Sequence, residues 1–559
     1  MAKTKVLLMN MPSTIRVYGK SALKGIIAPR PFVSMAELAG SVLEAGGDCK
    51  ILDLQMSDKP FEQIEDTLKN YKPDFVGITF TTLLFEEAKK VSSFIKNKFP
   101  KVRIIAGGVH STIYPEEVAK VKDIDIVVYG EGDITLQEIV KGKPLKSIKG
   151  IVFKSRKKII KNSPRPLVED LDSLPMPAWH LFNAKLYMNP KAIARVSPVG
   201  TIGTSRGCVY GCTYCNKSVF GRRFRAKSAK RVVDEFEILL KNGFKEVHVW
   251  DDMFATDLKR AKAVCDEIVR RKLKFSWQLE CGVRVNCVDK EFFQKCVKAG
   301  CYKVAFGFES GNDKILESIN KGTTTQQARN AVKWAKEAGM ETSGFFMLGL
   351  PEDTIKTMDQ TIDFACSLGL DYAKATILVP LPSTPVFEEF EKKGLLQTKD
   401  WSKYNFHTAS KVYNHPTLSW EVLEAYYDKF HKKFYFRPTY IVRRLFLSIK
   451  KGELIDNMKT AFNTLLKNNI PIKMKEQRKK IIILGAGITG LVAGYYLSED
   501  YDVIILEKNK FVGGSALSFK FKDFVLDSGS HKLYTELPGI MEEIAKVCPL
   551  IRVKKKNSI

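Results

Sequence analysis

The stretch VGTIGTSRGCVYGCTYCN, residues 199–216, is an apolar strand-like run followed at once by three cysteines, Cys208, Cys212 and Cys215. With the spacing CxxxCxxC on a single loop, three thiolates can turn toward one centre. A structural zinc site usually closes with four ligands drawn from separated pairs, whereas an iron–sulfur cluster is held by thiolates throughout. Three thiolates on a four-iron cluster leave one iron with an open position, which is what a metal centre needs to engage a substrate. The spacing also leaves open a zinc knuckle completed by Cys281 or His248, and buried free cysteines.

Downstream, the same kind of run recurs at 246–252, 275–284, 302–310, 342–351 and 372–380, each followed by a helical stretch. Six βα units between 196 and 395 predict a partial (β/α)6 barrel, too few for the closed eight-stranded form, with its chemistry at the carboxyl ends of the strands. Upstream, five apolar runs at 5–10, 49–54, 74–80, 102–108 and 125–132 alternate with helical spacers, which predicts a Rossmann-like, doubly wound parallel sheet over 1–145. Ligands of such sheets bind beyond the strand ends, where glycine lets them approach the backbone. Thr79, Thr81, Gly107, Gly108, His110, Gly130, Glu131 and Gly132 stand there. Residues 146–195, basic and then proline-rich, read as a strap between these two modules. Residues 396–478 read as a helical, basic connection, and 479–559 as a fifth segment.

At roughly 100 to 200 residues per domain, 559 residues predict several cores. A composition of 45% hydrophobic and 27% charged residues excludes disordered, collagen-like and disulfide-stapled classes. The net charge of +28 calls for negatively charged partners to be considered, but much of it lies between modules: 141–161 carries nine Lys/Arg and no acid, and 431–480 fourteen Lys/Arg against three acids. The basic, aromatic-rich helical run 419–467 suits either a solvated helix face or an anionic membrane surface. No apolar run approaches membrane-spanning length and the start reads as a strand, so a cytoplasmic protein with reduced cysteines is expected, peripheral to a membrane at most. Cys281, Cys287, Cys296 and Cys301, irregularly spaced, read as buried free thiols.

The cysteine motif after the first strand of a six-unit barrel resembles the radical S-adenosylmethionine (radical SAM) superfamily, and Tyr214 before the third cysteine fits it. The resemblance implies a 4Fe-4S cluster on Cys208, Cys212 and Cys215 whose open iron chelates S-adenosylmethionine and cleaves it reductively to a 5′-deoxyadenosyl radical. It also implies cofactor contacts from Tyr214, from Asp251 and Asp252 to the methionyl amine, from Arg284 to the carboxylate and from Glu309 and Ser310 to the ribose, with the turn 349–352 near the adenine. The GGE-like sequence common in the family after the second strand is absent here. The doubly wound domain, the strap with its EDLDSLPMPAW (169–179) and the barrel together resemble the cobalamin-binding subgroup, with GGVHSTIYPEEV (107–118) and VVYGEGD (127–133) typical of it. The chain lacks DxHxxG, so no histidine is placed by that motif beneath cobalt.

Residues 479–507 read as strand, GxGxxG at Gly485, Gly487 and Gly490, helix, and a second strand ending in Glu507. The glycines suit a pyrophosphate at a helix N-terminus and Glu507 a ribose hydroxyl. With Gly513-Gly514 and FVLDSGSH (524–531), the segment resembles the start of flavin amine oxidases and phytoene desaturases, which implies FAD. Those enzymes continue for several hundred residues, so a truncated Rossmann βαβ unit is expected: a fusion remnant, a vestige, or half of a split oxidoreductase completed by a partner chain. The function expected of the whole is that of an anaerobic, cobalamin-dependent radical SAM enzyme that methylates an unactivated carbon of a small-molecule or lipid-like substrate. Its electrons would come from a one-electron reductant such as flavodoxin or ferredoxin. A radical cyclase related to tetrapyrrole cyclases, and a non-catalytic Fe-S protein binding nucleic acid or membrane, are the alternatives.

Overall fold

A computed structural model describes residues 3–12, 29–156, 158–191, 193–404, 411–451, 480–498, 501–508, 518–521 and 524–527. The expectations for Gly513-Gly514, for 528–531 and for the basic stretch 452–479 lie outside the described residues. The chain forms two units, 1–468 and 469–559.

The first unit opens with a seven-stranded sheet. Its parallel strands are β1 (Lys5–Asn10), β2 (Asp48–Leu52), β3 (Phe75–Thr79), β4 (Arg103–Gly107) and β5 (Ile126–Val128), and the order 2-1-3-4-5 is completed by β6 (Ile151–Ser155) and β7 (Lys158–Lys161). Val6, Leu7, Val76, Ile104 and Ile126 are fully buried, as expected of strands covered on both faces. The chain leaves β1 for β2 on one side and returns to β3 on the other, so the switch point, where doubly wound sheets bind ligands, lies beyond Asn10 and Thr79, which are in register.

β6 and β7 correct the expected five strands. They form an antiparallel hairpin on β5 within the basic stretch read as a strap. Only Ile151, Val152 and Phe153 are buried there, a run too short to register between lysines. Lys158 and Lys161 are exposed on the outer strand, where charge blunts an open sheet edge, so part of the basic excess serves the fold. The proline-rich strap that follows lies on helix Val33–Glu44, where Ala178 N donates to Ala36 O at 2.9 Å, and it drives Trp179 fully into the core against Phe244.

The second layer is the barrel: β8 (Val199–Ile202), β11 (Glu246–Val249), β12 (Ser276–Val283), β13 (Cys301–Glu309), β14 (Glu341–Leu348) and β15 (Tyr372–Ile377), all parallel and in chain order. Two short strands, β9 (Ser205–Arg206) and β10 (Arg225–Ala226), pair beside it. The intervening helices begin at polar caps, among them Ser228, Asp257, Asp289 and Thr324, whose side chains accept from the first-turn N–H groups. Helix Trp420–Tyr435 packs on β15 through Tyr435, and one hydrophobic core runs from the first sheet through the barrel to Phe434. No described helix is long and apolar enough to cross a membrane.

The second unit holds β16 (Lys480–Leu484) parallel to β17 (Asp502–Leu506), joined by helix Ile488–Leu497, and a two-stranded antiparallel pair, β18 (Ser518–Phe521) with β19 (Phe524–Asp527). Gly485 has φ +101°, and a Cβ on Gly490 would lie 2.0 Å from Gly485 O, so strand, turn and helix approach as a dinucleotide fold requires. Glu507 accepts from Ala486 N at 2.8 Å and braces the turn.

Candidate functional site

The cysteines sit on the excursion between β9 and β10, at the carboxyl end of β8. Pairing of Arg206 with Arg225 and of Ser205 with Ala226 closes the base of this loop. Gly207 is indispensable to it: its φ is +83° and a Cβ would fall 2.2 Å from Arg223 O. Further along, Thr213 N donates to Ile319 O (3.0 Å), Asn320 Nδ2 to Gly211 O (3.1 Å) and Val386 N to Thr213 O (3.1 Å), tying the loop to the end of helix Asp313–Ser318 and the start of helix Pro385–Lys392. Cys212 is buried and Cys208 and Cys215 are half-buried. Burial pushes the Cys215 thiol up, and the Lys217 ammonium opposes it. The Arg284 guanidinium lies over the Tyr210 ring, its Cζ 3.6 Å from the centroid, with Nη1 3.9 Å from Cys212 Sγ. The Lys217 cation favours the thiolate form of Cys215, the form that iron requires.

Among the described residues no three His, Cys, Asp or Glu side chains converge tightly enough to share one metal ion. Three thiolates and no other donor type on one loop suit an iron–sulfur cluster, which thiolates hold throughout.

Around the loop, Lys321 Nζ bridges Glu309 (2.8 Å) and the Tyr214 hydroxyl (3.2 Å). Glu309 holds φ +66°, rare for a side-chain-bearing residue, at a break in the β13–β14 register after Gly307. Ser310 is buried and its hydroxyl lies 3.1 Å from that of Thr361. Asp252 accepts from Gly207 N at 3.0 Å, and burial raises its carboxyl. Asp251 corrects the expectation that both acids face the methionyl amine. Its carboxylate is buried and already accepts from Thr204 N (2.5 Å), Thr204 Oγ1 (2.5 Å) and Ser205 Oγ (2.7 Å), so it fastens the end of β8.

The first sheet meets this loop through an ion-pair hub. Arg206 reaches Glu131 (2.9 Å), Asp133 (2.8 Å) and Glu37 (2.8 Å). Arg225 donates to Glu131 at 3.0 Å, and Lys227 pairs with Glu37 (3.0 Å) and Glu235 (2.8 Å). Glu131 is thereby corrected: both its oxygens are engaged, one also taking Val168 N at 2.7 Å, and it clamps the barrel instead of facing a ligand. His110 is corrected too. It has no exposed surface, packs against Phe85, Tyr114 and Trp401, and has Nδ1 3.2 Å from Thr82 Oγ1. Burial, and then Lys89, hold it down at about 4, so it is a neutral core residue. Gly107 and Gly130, in contrast, have open space where a Cβ would stand, leaving bare backbone at adjacent strand ends for a broad ligand. Thr79 is half-buried and Thr81 exposed beside them, with Gly108 and Gly132 at the starts of the following helices.

The reading of four remaining cysteines as buried thiols holds for Cys296 and Cys301. Cys281 is exposed, and Cys287 is half-buried with Sγ 2.8 Å from the Tyr210 hydroxyl. A surface pocket of about 520 Å³ lined by Lys245, Lys274 and Lys298 lies at the opposite, amino-terminal end of the barrel strands and takes no part in the site.

Three family models match the chain: the radical SAM superfamily over 202–365, the B12 binding domain over 31–140 and an NAD(P)-binding Rossmann-like domain over 483–544. An uncharacterized methyltransferase of Pyrococcus horikoshii, PH0819, is 35% identical over 452 residues, covering 79% of this chain and 95% of its own. The anaerobic magnesium-protoporphyrin IX monomethyl ester cyclase of Rubrivivax gelatinosus is 29% identical, covering 67% of this chain and 68% of that protein. Among solved structures, the cobalamin-dependent S-adenosylmethionine radical enzyme OxsB superposes with a TM-score of 0.62 at 17% identity over 89% of this chain and 75% of that one. The radical S-adenosylmethionine methyltransferase TsrM of Kitasatospora setae gives 0.57 at 20% identity over 70% and 75%. These two likenesses concern the fold.

Proposed function

The chain belongs to the radical SAM superfamily, in the group that carries a B12-binding domain ahead of the radical SAM domain, and from that membership we propose that it is a cobalamin-dependent methyltransferase acting on a small molecule. The observation that carries this is the match to the P. horikoshii methyltransferase, which runs through both domains and nearly the whole of that protein. When bound, the 4Fe-4S cluster and S-adenosylmethionine supply a radical and cobalamin a transferable methyl group.

The chain's own part is to hold these groups. Cys208, Cys212 and Cys215 would bind the cluster. Tyr214, Asp252, Arg284, Glu309 and Ser310 ring the loop at the strand ends and would hold S-adenosylmethionine, Arg284 offering the planar fork that suits a carboxylate. Backbone at Gly107, Gly108, Gly130 and Gly132, with Thr79 and Thr81, would cradle cobalamin at the switch point. The hub of Arg206, Glu131, Asp133 and Glu37 sets that cradle against the cysteine loop, and fixing reactants in one geometry is a large share of such catalysis.

The test is anaerobic incubation of reconstituted protein with S-adenosylmethionine, a one-electron reductant such as flavodoxin or ferredoxin, and cell extract as the source of substrate. Cobalamin-dependent S-adenosylhomocysteine beside 5′-deoxyadenosine is expected. 5′-Deoxyadenosine alone would favour a cyclase, the activity named for several of the relatives, and neither product would sink the enzyme reading.

Two finer parts belong to the same proposal, for a cytoplasmic protein. Phe436, Ile441, Val442 and Leu445 are exposed on or beside helix Pro438–Lys451, which supports peripheral contact with an anionic membrane. Leu484 and Leu506 are exposed on a parallel sheet, a type normally covered on both faces, which supports a partner chain completing an FAD domain. Sedimentation with anionic vesicles and retention of added FAD on gel filtration with and without candidate partners check them, and each is withdrawn if nothing is retained.

A further inference from the structure

The three turns that feed β11, β12 and β13 lie side by side, because those strands are parallel neighbours. Each turn places one lysine at the amino-terminal end of the barrel: Lys245 just before β11, Lys274 just before β12 and Lys298 just before β13. All three are exposed and line one pocket of about 520 Å³, with Leu273, Phe275 and Val297 as its apolar wall. Ser276 adds a half-buried hydroxyl, and neither it nor any of the three ammonium groups has a partner among the described residues. Among those residues no carboxylate and no guanidinium lines the pocket.

The lack of pairing is local to the pocket. Around the same helices other cations are matched: Arg271 with Asp234 (2.6 Å) and Glu267 (2.8 Å), Lys262 with Asp289 (2.7 Å) and Glu291 (2.6 Å), and Lys295 with Asp266 (2.7 Å). Helix dipoles do not account for the three lysines either. A cation in the last turn offsets the negative end of a helix, and Lys241, Arg270 and Lys295 already stand in those turns. Lys245 and Lys274 lie beyond the helix ends at Lys241 and Arg270, where the dipole has faded.

A concave site lined by one sign of charge focuses the field and draws in counter-ions. Lysine meets phosphate as a point charge, whereas planar two-point recognition of a carboxylate belongs to arginine, which does not line this pocket. The volume falls among small-molecule sites, roughly 300 to 1,000 Å³, whose usual lining is an apolar wall with a few polar groups. Charge and apolar wall share one pocket, so its ligand carries both features. We infer that the pocket binds a phosphate monoester with an apolar body, the phosphate held by Lys245, Lys274 and Lys298 and the body laid on Leu273, Phe275 and Val297. The pocket is at the end of the barrel strands away from the cysteine loop, so this inference is independent of the methyl-transfer reading.

The full chain is dialysed to equilibrium against 1-naphthyl phosphate, inorganic phosphate and 1-naphthol, which carry both features, the charge alone and the apolar ring alone. Saturable binding of 1-naphthyl phosphate is expected, about tenfold tighter than either half. Lys245→Gln, Lys274→Gln and Lys298→Gln combined in one variant should weaken it by about tenfold or more. A control combining Lys59→Gln, Lys393→Gln and Lys411→Gln, exposed lysines paired with acids, loses the same net charge and should bind like the wild type. Should the pocket variant melt early, acetylation of its three lysines in the wild type, mapped by mass spectrometry, is expected to fall when 1-naphthyl phosphate is present. Competing vesicles of phosphatidic acid separate the sources of the phosphate: displacement assigns it to a lipid headgroup and its absence to a soluble compound, and both keep the site. No saturable binding, equal weakening in the two combined variants, binding within about twofold of the wild type in the pocket variant, or acetylation indifferent to the ligand would overturn the inference.

Discussion

A variant with Cys208, Cys212 and Cys215 all replaced by alanine is expected to lose 5′-deoxyadenosine formation by roughly a thousandfold or more, which a barrier about 4 kcal/mol higher would already produce. Iron content per chain should fall with it. The fold should survive, because the loop is anchored by backbone contacts that no thiol makes: Thr213 N to Ile319 O, Val386 N to Thr213 O and Asn320 to Gly211 O. Nor can the buried pair Cys265 and Cys296 replace the three. Cys265 and Cys296 lie 3.8 Å apart with no exposed surface, in the core between barrel helices, where a cluster would have no route to a substrate. The measurement is chromatographic quantitation of 5′-deoxyadenosine beside a thermal melt. Full activity in an iron-free variant would remove the cluster from the mechanism. Equal melts with activity lost would separate the catalytic reading from that of a binder in which the cluster is only a structural prop.

The barrel was legible because its strands are apolar runs at regular spacing and its helices begin at polar caps. The cysteine loop was legible because three identical, chemically distinctive residues sit within one turn-rich segment. Side chains acting through space were not. Glu37 lies 169 residues before Arg206, and neither carries a local signal apart from being an acid on a helix of small residues and a bulky cation just ahead of Gly207. His110 and Glu131 misled for the converse reason. They stand at strand ends, where ligands bind, but tertiary packing buried one in an aromatic box and gave the other to Arg206 and Arg225. The hairpin Ile151–Lys161 was hidden because three buried residues among lysines show too short a hydrophobic period to separate from a linker.

Arg206→Ala is expected to loosen the first sheet from the barrel, at a cost of about 3 to 5 kcal/mol, the usual result of removing one partner from a buried ionic network. The guanidinium spans three carboxylates on the cobalamin side, Glu37, Glu131 and Asp133. Its loss leaves Arg225 and Lys227 to neutralise all three. Arg206→Lys should recover only part, since one ammonium cannot reproduce a planar fork reaching several acids. The acid side of stability should move as well. Burial opposes the charge of Glu37, but Lys227 and then Arg206 outweigh it and lower the group from its ordinary 4.5 to about 2. A carboxyl lowered by folding contributes stability that is complete above 4.5 and is lost as pH falls through about 2. Without Arg206 the folded value rises toward 4.5, so less stability is available at neutral pH and its loss, which still begins at 4.5, is complete at a higher pH. Thermal melts from pH 3 to 7, with cobalamin retained after gel filtration as the second readout, test this. The cysteine loop follows Arg206 directly, so cobalamin retention should drop further than iron content, because the cluster's ligands keep their backbone anchors while the cradle loses its clamp. A variant that melts like the wild type at every pH and retains its cobalamin would mean that the hydrophobic seam beneath the hub, not its charges, joins the two layers.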